Sequence, residues 1–160
     1  MSATAGAVSA VEIRLRELGL TLPAVAAPVA AYVPAVITGN LVHTSGQLPF
    51  VDGALPATGK VGASVDPADA ASYAAICAIN ALAAVKSQIG DLDRISRVVK
   101  LVGFVASDPS FTGQPAVING ASELLGKVFG EAGSHARSAV GVAVLPLDAP
   151  VEVEMIVEFA

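Results

Sequence analysis

The stretch Val151-Glu-Val-Glu-Met-Ile-Val-Glu-Phe159 alternates apolar and polar residues with a single interruption. Side chains alternate faces along a strand. Val151, Val153, Met155, Val157 and Phe159 therefore share one face, and Glu152, Glu154, Ile156 and Glu158 the other. A strand of this kind needs a sheet with one face packed on a core. The rest of the chain supplies it. Arg137–Leu145 reads as a strand, joined to the last one by a turn through Pro146, Asp148 and Pro150, and Ile95–Ala106 is a long strand signal. Val36 and Ile37, then Leu41–Gln47, flank Gly39-Asn40, a two-residue hairpin signal.

Helices fall between these strands. Ser9 and Glu12 form a capping box for Ala10–Leu18, and Gly19 is a natural stop. Asp66 and Pro67 are an N-cap and N1 pair for a long helix ended by Gly90. Its stripe of Ala71, Ala74, Ala75, Ala78, Ala81, Leu82 and Val85 predicts close packing against a sheet. Pro115–Phe129 is a further helix. The order helix, β, β, helix, β, helix, β, β predicts one α/β (α+β) domain, a mixed sheet with helices on one face. The other face then needs cover.

Composition bears on that cover. The chain is 54% hydrophobic with mean hydropathy +0.68, yet its longest apolar stretch, Leu22–Ile37, is broken by Pro23, Pro28 and Pro34. That is shorter than the ~20 residues a membrane span requires, so a spanning helix is rejected. With 14% charged residues, the excess apolar surface points to self-association. The start Met1-Ser-Ala-Thr-Ala-Gly-Ala-Val8 shows no basic region before an apolar core, and Cys77 is the single cysteine. A cytoplasmic protein without disulfides is the expectation. A net charge of −5, with nine scattered basic residues, disfavours nucleic acid as a partner.

Arg137 is the foremost candidate for chemistry. Ala139, Gly141, Ala143 and Leu145 share its face, so small side chains leave volume beside the guanidinium, while Ser138, Val140, Val142 and Val144 form an apolar wall suited to packing under a helix. Two readings stay open. Arg137 pairs with Glu152, Glu154 or Glu158, or it grips a ligand carboxylate through its planar fork. The three glutamates are either a solvated face or include one general acid/base. His43 and His135 lack metal-ligand spacing and read as ordinary polar residues, and Cys77 as packing. No nucleophile elbow, Walker motif or dinucleotide fingerprint is present, so neither metal nor cofactor is expected.

Gly39-Asn-Leu-Val-His-Thr-Ser-Gly-Gln-Leu-Pro49 resembles the N-terminal signature of the RidA/YjgF family. Ala136-Arg-Ser-Ala-Val-Gly-Val-Ala-Val-Leu-Pro146, followed by Val151-Glu-Val-Glu-Met-Ile156, resembles its C-terminal one. The resemblance runs from about Tyr32 to Phe159 and makes 32–160 the core of a single domain, with 1–31 a helical extension and connector. It implies a chorismate-mutase-like fold, a homotrimer with clefts between subunits, and hydrolysis of reactive enamines and imines to 2-keto acids and ammonia. It further implies that Arg137 grips the substrate carboxylate and Glu152 positions the hydrolytic water, with Tyr32, Ser45, Gly46, Asn119 and Ala139 lining the pocket. Three departures accompany it: the N-terminal helix, a longer spacing from Phe111 to Asn119, and alanine at 139 where a cysteine is common. The rival expectations are an endoribonuclease or translation inhibitor, and a trimer that binds small carboxylates without turnover.

Overall fold

The computed structural model describes residues 8–25, 27 and 30–160. Met1–Ala7 and positions 26, 28 and 29 of the proline-rich connector, Pro28 among them, lie outside the described residues. Helix α1 spans Ala10–Glu17, and the Ser9 hydroxyl accepts the Glu12 N–H as its cap. Gly19 (φ 76°) ends it: Leu20 N–H reaches Leu15 O and Gly19 N–H reaches Arg16 O, the two bonds of a Schellman stop. The Asp93 carboxylate seats the other end, accepting the Ser9 hydroxyl and the Ala10 and Val11 N–H groups.

Strands β1 (Ala35–Thr38) and β2 (Leu41–Thr44) form the expected hairpin, with Thr38 opposite Leu41 and Gly39 at φ 59°. Helix α2 (Pro67–Ile89) starts at Asp66, whose side chain accepts the Ala68 N–H, and stops at Gly90. Strand β3 (Ile95–Ala106), helix α3 (Gln114–Phe129), strand β4 (Ala136–Val142) and strand β5 (Val151–Phe159) complete the core. The five-stranded sheet runs β1-β2-β5-β3-β4, antiparallel except for β3 against β4. β4 stops at Val142, three residues earlier than its alternation suggests, because its partner β3 runs out at Ala106 opposite it.

α2 and α3 cover one face. Beneath them lie Leu101, Val105, Val151, Val153, Met155 and Val157, all at most 1% exposed. Alanine lets the helices come close: Ala70, Ala74, Ala78, Ala81 and Ala84 are fully buried. Among the described residues α2 alone is long and apolar enough to cross a membrane, but 61% of its most apolar window is buried inside the fold. It is a core helix.

The side chosen by α3 differs from the expectation for β4. Arg137 lies opposite Leu101 and Ala139 opposite Gly103, so the helices sit on the arginine's face. The small residues there admit α3 itself. A side chain at Gly103 would strike Ile118, and one at Gly141 would lie 2.8 Å from the Gln114 amide. The supposed helix-packing wall is the uncovered side, with Val140 44% and Val144 62% exposed.

Candidate functional site

Arg137 stands near the start of β4, where α3 passes with Asn119 and Ser122 one turn apart. Its Nη1 donates to Asn119 Oδ1 at 2.8 Å and to Ser122 Oγ at 3.2 Å, and Nη2 donates to Pro115 O at 3.3 Å. A guanidinium only donates, so Asn119 must turn its oxygen inward and present its NH₂ outward. Three of the five guanidinium N–H groups are thus engaged, all with neutral acceptors. Among the described residues the ion pairs are Lys60–Asp148 and Lys86–Glu12. Arg137 has no carboxylate partner there. Pairing with Glu152, Glu154 or Glu158, left open by the sequence, is excluded within the chain. Those glutamates project from the other face, since Glu152 lies opposite Phe104 and Glu154 opposite Val102.

The second group forms at a break in the sheet. β2 pairs with β5 through His43 opposite Ile156, and pairing resumes at Gln47 opposite Val153. Three residues of one strand thus face two of the other, a bulge of the kind that re-aims side chains beside functional sites. The expected strand to Gln47 is interrupted for this reason, and the Thr44 hydroxyl takes the Met155 N–H instead. Ser45 turns away and donates to Val33 O at 2.6 Å, which ties down the segment carrying Tyr32. Gly46 is left under Glu152: a Cβ there would lie 1.9 Å from Glu152 Oε1. The segment that follows the bulge is held by buried Asn80, whose amide donates to Leu48 O and Phe50 O.

Glu152 is half-buried in this setting. Burial, and secondly the nearby Glu154 carboxylate, raise its proton affinity above the ordinary glutamate range. Glu158 accepts a hydrogen bond from Ser96 at the far end, and Glu154 sits between His43 and Lys100 in a cavity of about 70 Å³. Their settings separate the three, which the alternation of β5 could not do.

The candidate residues therefore form two groups. Gly46 and Glu152 meet at the bulge on the uncovered face, where Ser45 anchors the segment that carries Tyr32, and Arg137, Asn119 and Ala139 lie on the helix side of β4. A single chain does not bring them together. Ser122, beside Arg137, escaped the sequence reading, and His135 was read there only as an ordinary polar residue. Ser122 accepts an Arg137 N–H, and His135 Nε2 lies 2.9 Å from Ser122 Oγ. The signal was present in the i, i+3 spacing of Asn119 and Ser122 and the i, i+2 spacing of His135 and Arg137. Neither spacing means much until α3 is placed over β4.

Residues 12–159 match the family described as YjgF/chorismate mutase-like endoribonuclease. A crystal structure of an Agrobacterium tumefaciens protein of unknown function is 53% identical, covers 94% of this chain and 93% of its own, and superposes with TM-score 0.89. The Trypanosoma cruzi protein TCP17 is 49% identical over 92% of this chain and 93% of its own length. Escherichia coli TdcF, solved with bound serine, is 28% identical with TM-score 0.57, over 88% of this chain and 96% of that one.

Proposed function

The chain belongs to the YjgF/chorismate mutase-like endoribonuclease family, and from that premise we propose that it is a hydrolytic deaminase of reactive enamines and imines. Its substrates are 2-aminoacrylate and 2-iminopropionate and their homologues, and its products are 2-oxo acids and ammonia. The observation that carries the reading is Arg137: fixed by three neutral acceptors, lacking a carboxylate partner among the described residues, with two N–H donors to spare. A buried or half-buried cation without an anion is costly unless an anion arrives, and a small carboxylate suits a guanidinium's paired donors. The serine held by the TdcF relative is a ligand of that chemical type.

The second group completes the chemistry from a neighbouring copy, in a homotrimer with clefts between subunits. The uncovered face with its exposed valines is the surface available for that contact. Arg137 and the outward Asn119 amide hold the carboxylate, placing the imine carbon toward the neighbour's Glu152. An enamine substrate first becomes the imine by gaining a proton at its terminal carbon and losing one from nitrogen. Glu152 then takes a proton from water as the oxygen adds to the imine carbon, and returns that proton to the nitrogen. The hydroxyl proton of the resulting carbinolamine passes through the same carboxylate to nitrogen, the C–N bond breaks to release ammonia, and C=O forms. A glutamate of raised proton affinity is suited to shuttle that proton. The substrate is already reactive, so positioning supplies much of the acceleration, and neither metal nor cofactor is invoked.

The test is Arg137→Ala in a coupled assay, in which an amino-acid dehydratase or oxidase generates imines and keto-acid release is followed. The variant folds and self-associates as wild type but no longer accelerates release. Full activity in the variant overturns the assignment. So does wild-type protein that leaves imines untouched but cleaves RNA in an Arg137-dependent manner.

A further inference from the structure

Arg137 is one end of a chain of hydrogen bonds that the proposed reaction does not use. His135 Nδ1 lies 2.6 Å from Gly133 O, and a carbonyl oxygen only accepts, so Nδ1 carries a hydrogen. In the neutral ring Nε2 is then an acceptor and receives the Ser122 hydroxyl proton at 2.9 Å. That orients the Ser122 lone pairs toward the guanidinium, whose Nη1 donates to Oγ. The far end is equally fixed. Gly133 is buried, and a Cβ there would lie 2.4 Å from Leu125 O, so this turn rests directly on the α3 backbone. Ring, hydroxyl and guanidinium are therefore all referenced to one helix.

We propose that His135, acting through Ser122, is a positioning residue that sets the orientation in which Arg137 receives the substrate carboxylate. This rests on the reading of Arg137 as the carboxylate grip. Asn119 holds the same Nη1 from the exposed side, so the nitrogen is fixed between two oxygens three residues apart on α3. Loss of Ser122 leaves Asn119 as the sole side-chain acceptor on Nη1, and loss of His135 frees the Ser122 hydroxyl to rotate away from the guanidinium. The guanidinium can then swing about its Nη2 bond to Pro115 O. Binding weakens, while the chemical step at Glu152, on another copy, is untouched.

The experiment measures imine hydrolysis, pyruvate binding by calorimetry, and the Arg137 side-chain NMR signal in full-length His135→Ala, His135→Gln, Ser122→Ala, Ser122→Thr and the double variant His135→Ala/Ser122→Ala. Loss of one net hydrogen bond corresponds to about a 3- to 10-fold change. His135→Ala and Ser122→Ala are each expected to raise KM and the pyruvate Kd by that factor, with kcat within about twofold and a more mobile Arg137 signal. The double variant is expected to be no worse than either single one, because one relay is lost once. His135→Gln, which keeps an acceptor at the Nε2 position, and Ser122→Thr, which keeps the hydroxyl, restore most of the binding. Additive losses in the double variant, a fall in kcat at constant KM, or failure of both conservative variants to restore binding would overturn the relay. Should Arg137→Ala bind pyruvate as wild type does, the carboxylate grip itself is wrong. Wild-type binding in His135→Ala beside a dead Arg137→Ala sinks only the relay.

Discussion

Two glycines meet the same obstruction at the same distance, and their replacement separates the site from the fold. A Cβ at Gly46 would lie 1.9 Å from Glu152 Oε1, and one at Gly120 1.9 Å from Ala71 O. Both fall about 1.5 Å short of the 3.4 Å at which ordinary contact begins. The partners differ in what they can do. Oε1 is the tip of a side chain with three torsions, and turning it aside costs about 1 kcal/mol. Ala71 O is helix backbone, so Gly120→Ala must prise α2 from α3. Overpacking of that kind costs on the order of 3 kcal/mol, and the better helix propensity of alanine returns about 1. Thermal unfolding should show Gly46→Ala within about 3 °C of wild type and Gly120→Ala roughly 4–8 °C lower. Activity should rank the other way for its cause: a carboxylate displaced by more than an ångström lowers kcat/KM of Gly46→Ala by about 10- to 100-fold in a protein that is otherwise intact. Wild-type kcat/KM in Gly46→Ala would refute the role given to Glu152 in its present position. Equal destabilisation of the two variants would refute the distinction between tip and backbone.

Other outcomes follow from the same geometry. Because burial and then Glu154 raise the proton affinity of Glu152, the acid limb of kcat/KM falls above the ordinary glutamate range. Glu154→Gln removes one of the two causes and moves that limb to lower pH; a limb that stays put would exonerate Glu154. Asp93→Ala strips three hydrogen bonds from the start of α1 and lowers stability by about 1 kcal/mol, read by chemical denaturation. Desolvation, the largest single influence, raises the Asp93 carboxyl, but its bonds to Val11, Ser9 and Ala10 and the Arg14 charge together outweigh it and lower it overall. The stability difference between wild type and Asp93→Ala is therefore complete above the unfolded carboxylate range and vanishes as pH falls through the depressed folded value. A difference that grows in acid would contradict it.

Much of the fold was legible because local chemistry and global packing agree. Ser9 with Glu12, Asp66 with Pro67, and Gly39-Asn40 each sit where their backbone conformation is needed, and Ile95–Ala106 and Val151–Phe159 begin and end as their patterns indicate. The face of β4 was not legible. A row of Val140, Val142 and Val144 reads as core by hydropathy, whereas Arg137, Ala139 and Gly141 read as open surface. The structure reverses them because α3 approaches so closely at Gly103 that a side chain there would strike Ile118, and closeness leaves no hydrophobic signature. The same reversal hid the division of the candidate site. Alternation placed Arg137 and Glu152 on neighbouring elements, and only the pairing of both with β3 reveals that they point apart.

That division governs more than geometry. If one copy supplies the guanidinium and the next the carboxylate, the contact is head-to-tail, and each chain must both give one face and receive the other. Two chains alone leave a guanidinium unmatched on one and a carboxylate unmatched on its mate. Only a closed ring lets every copy belong to two complete sites at once. Turnover per chain then becomes a property of the assembly and falls on dilution with the concentration of intact rings, even while every individual chain remains folded.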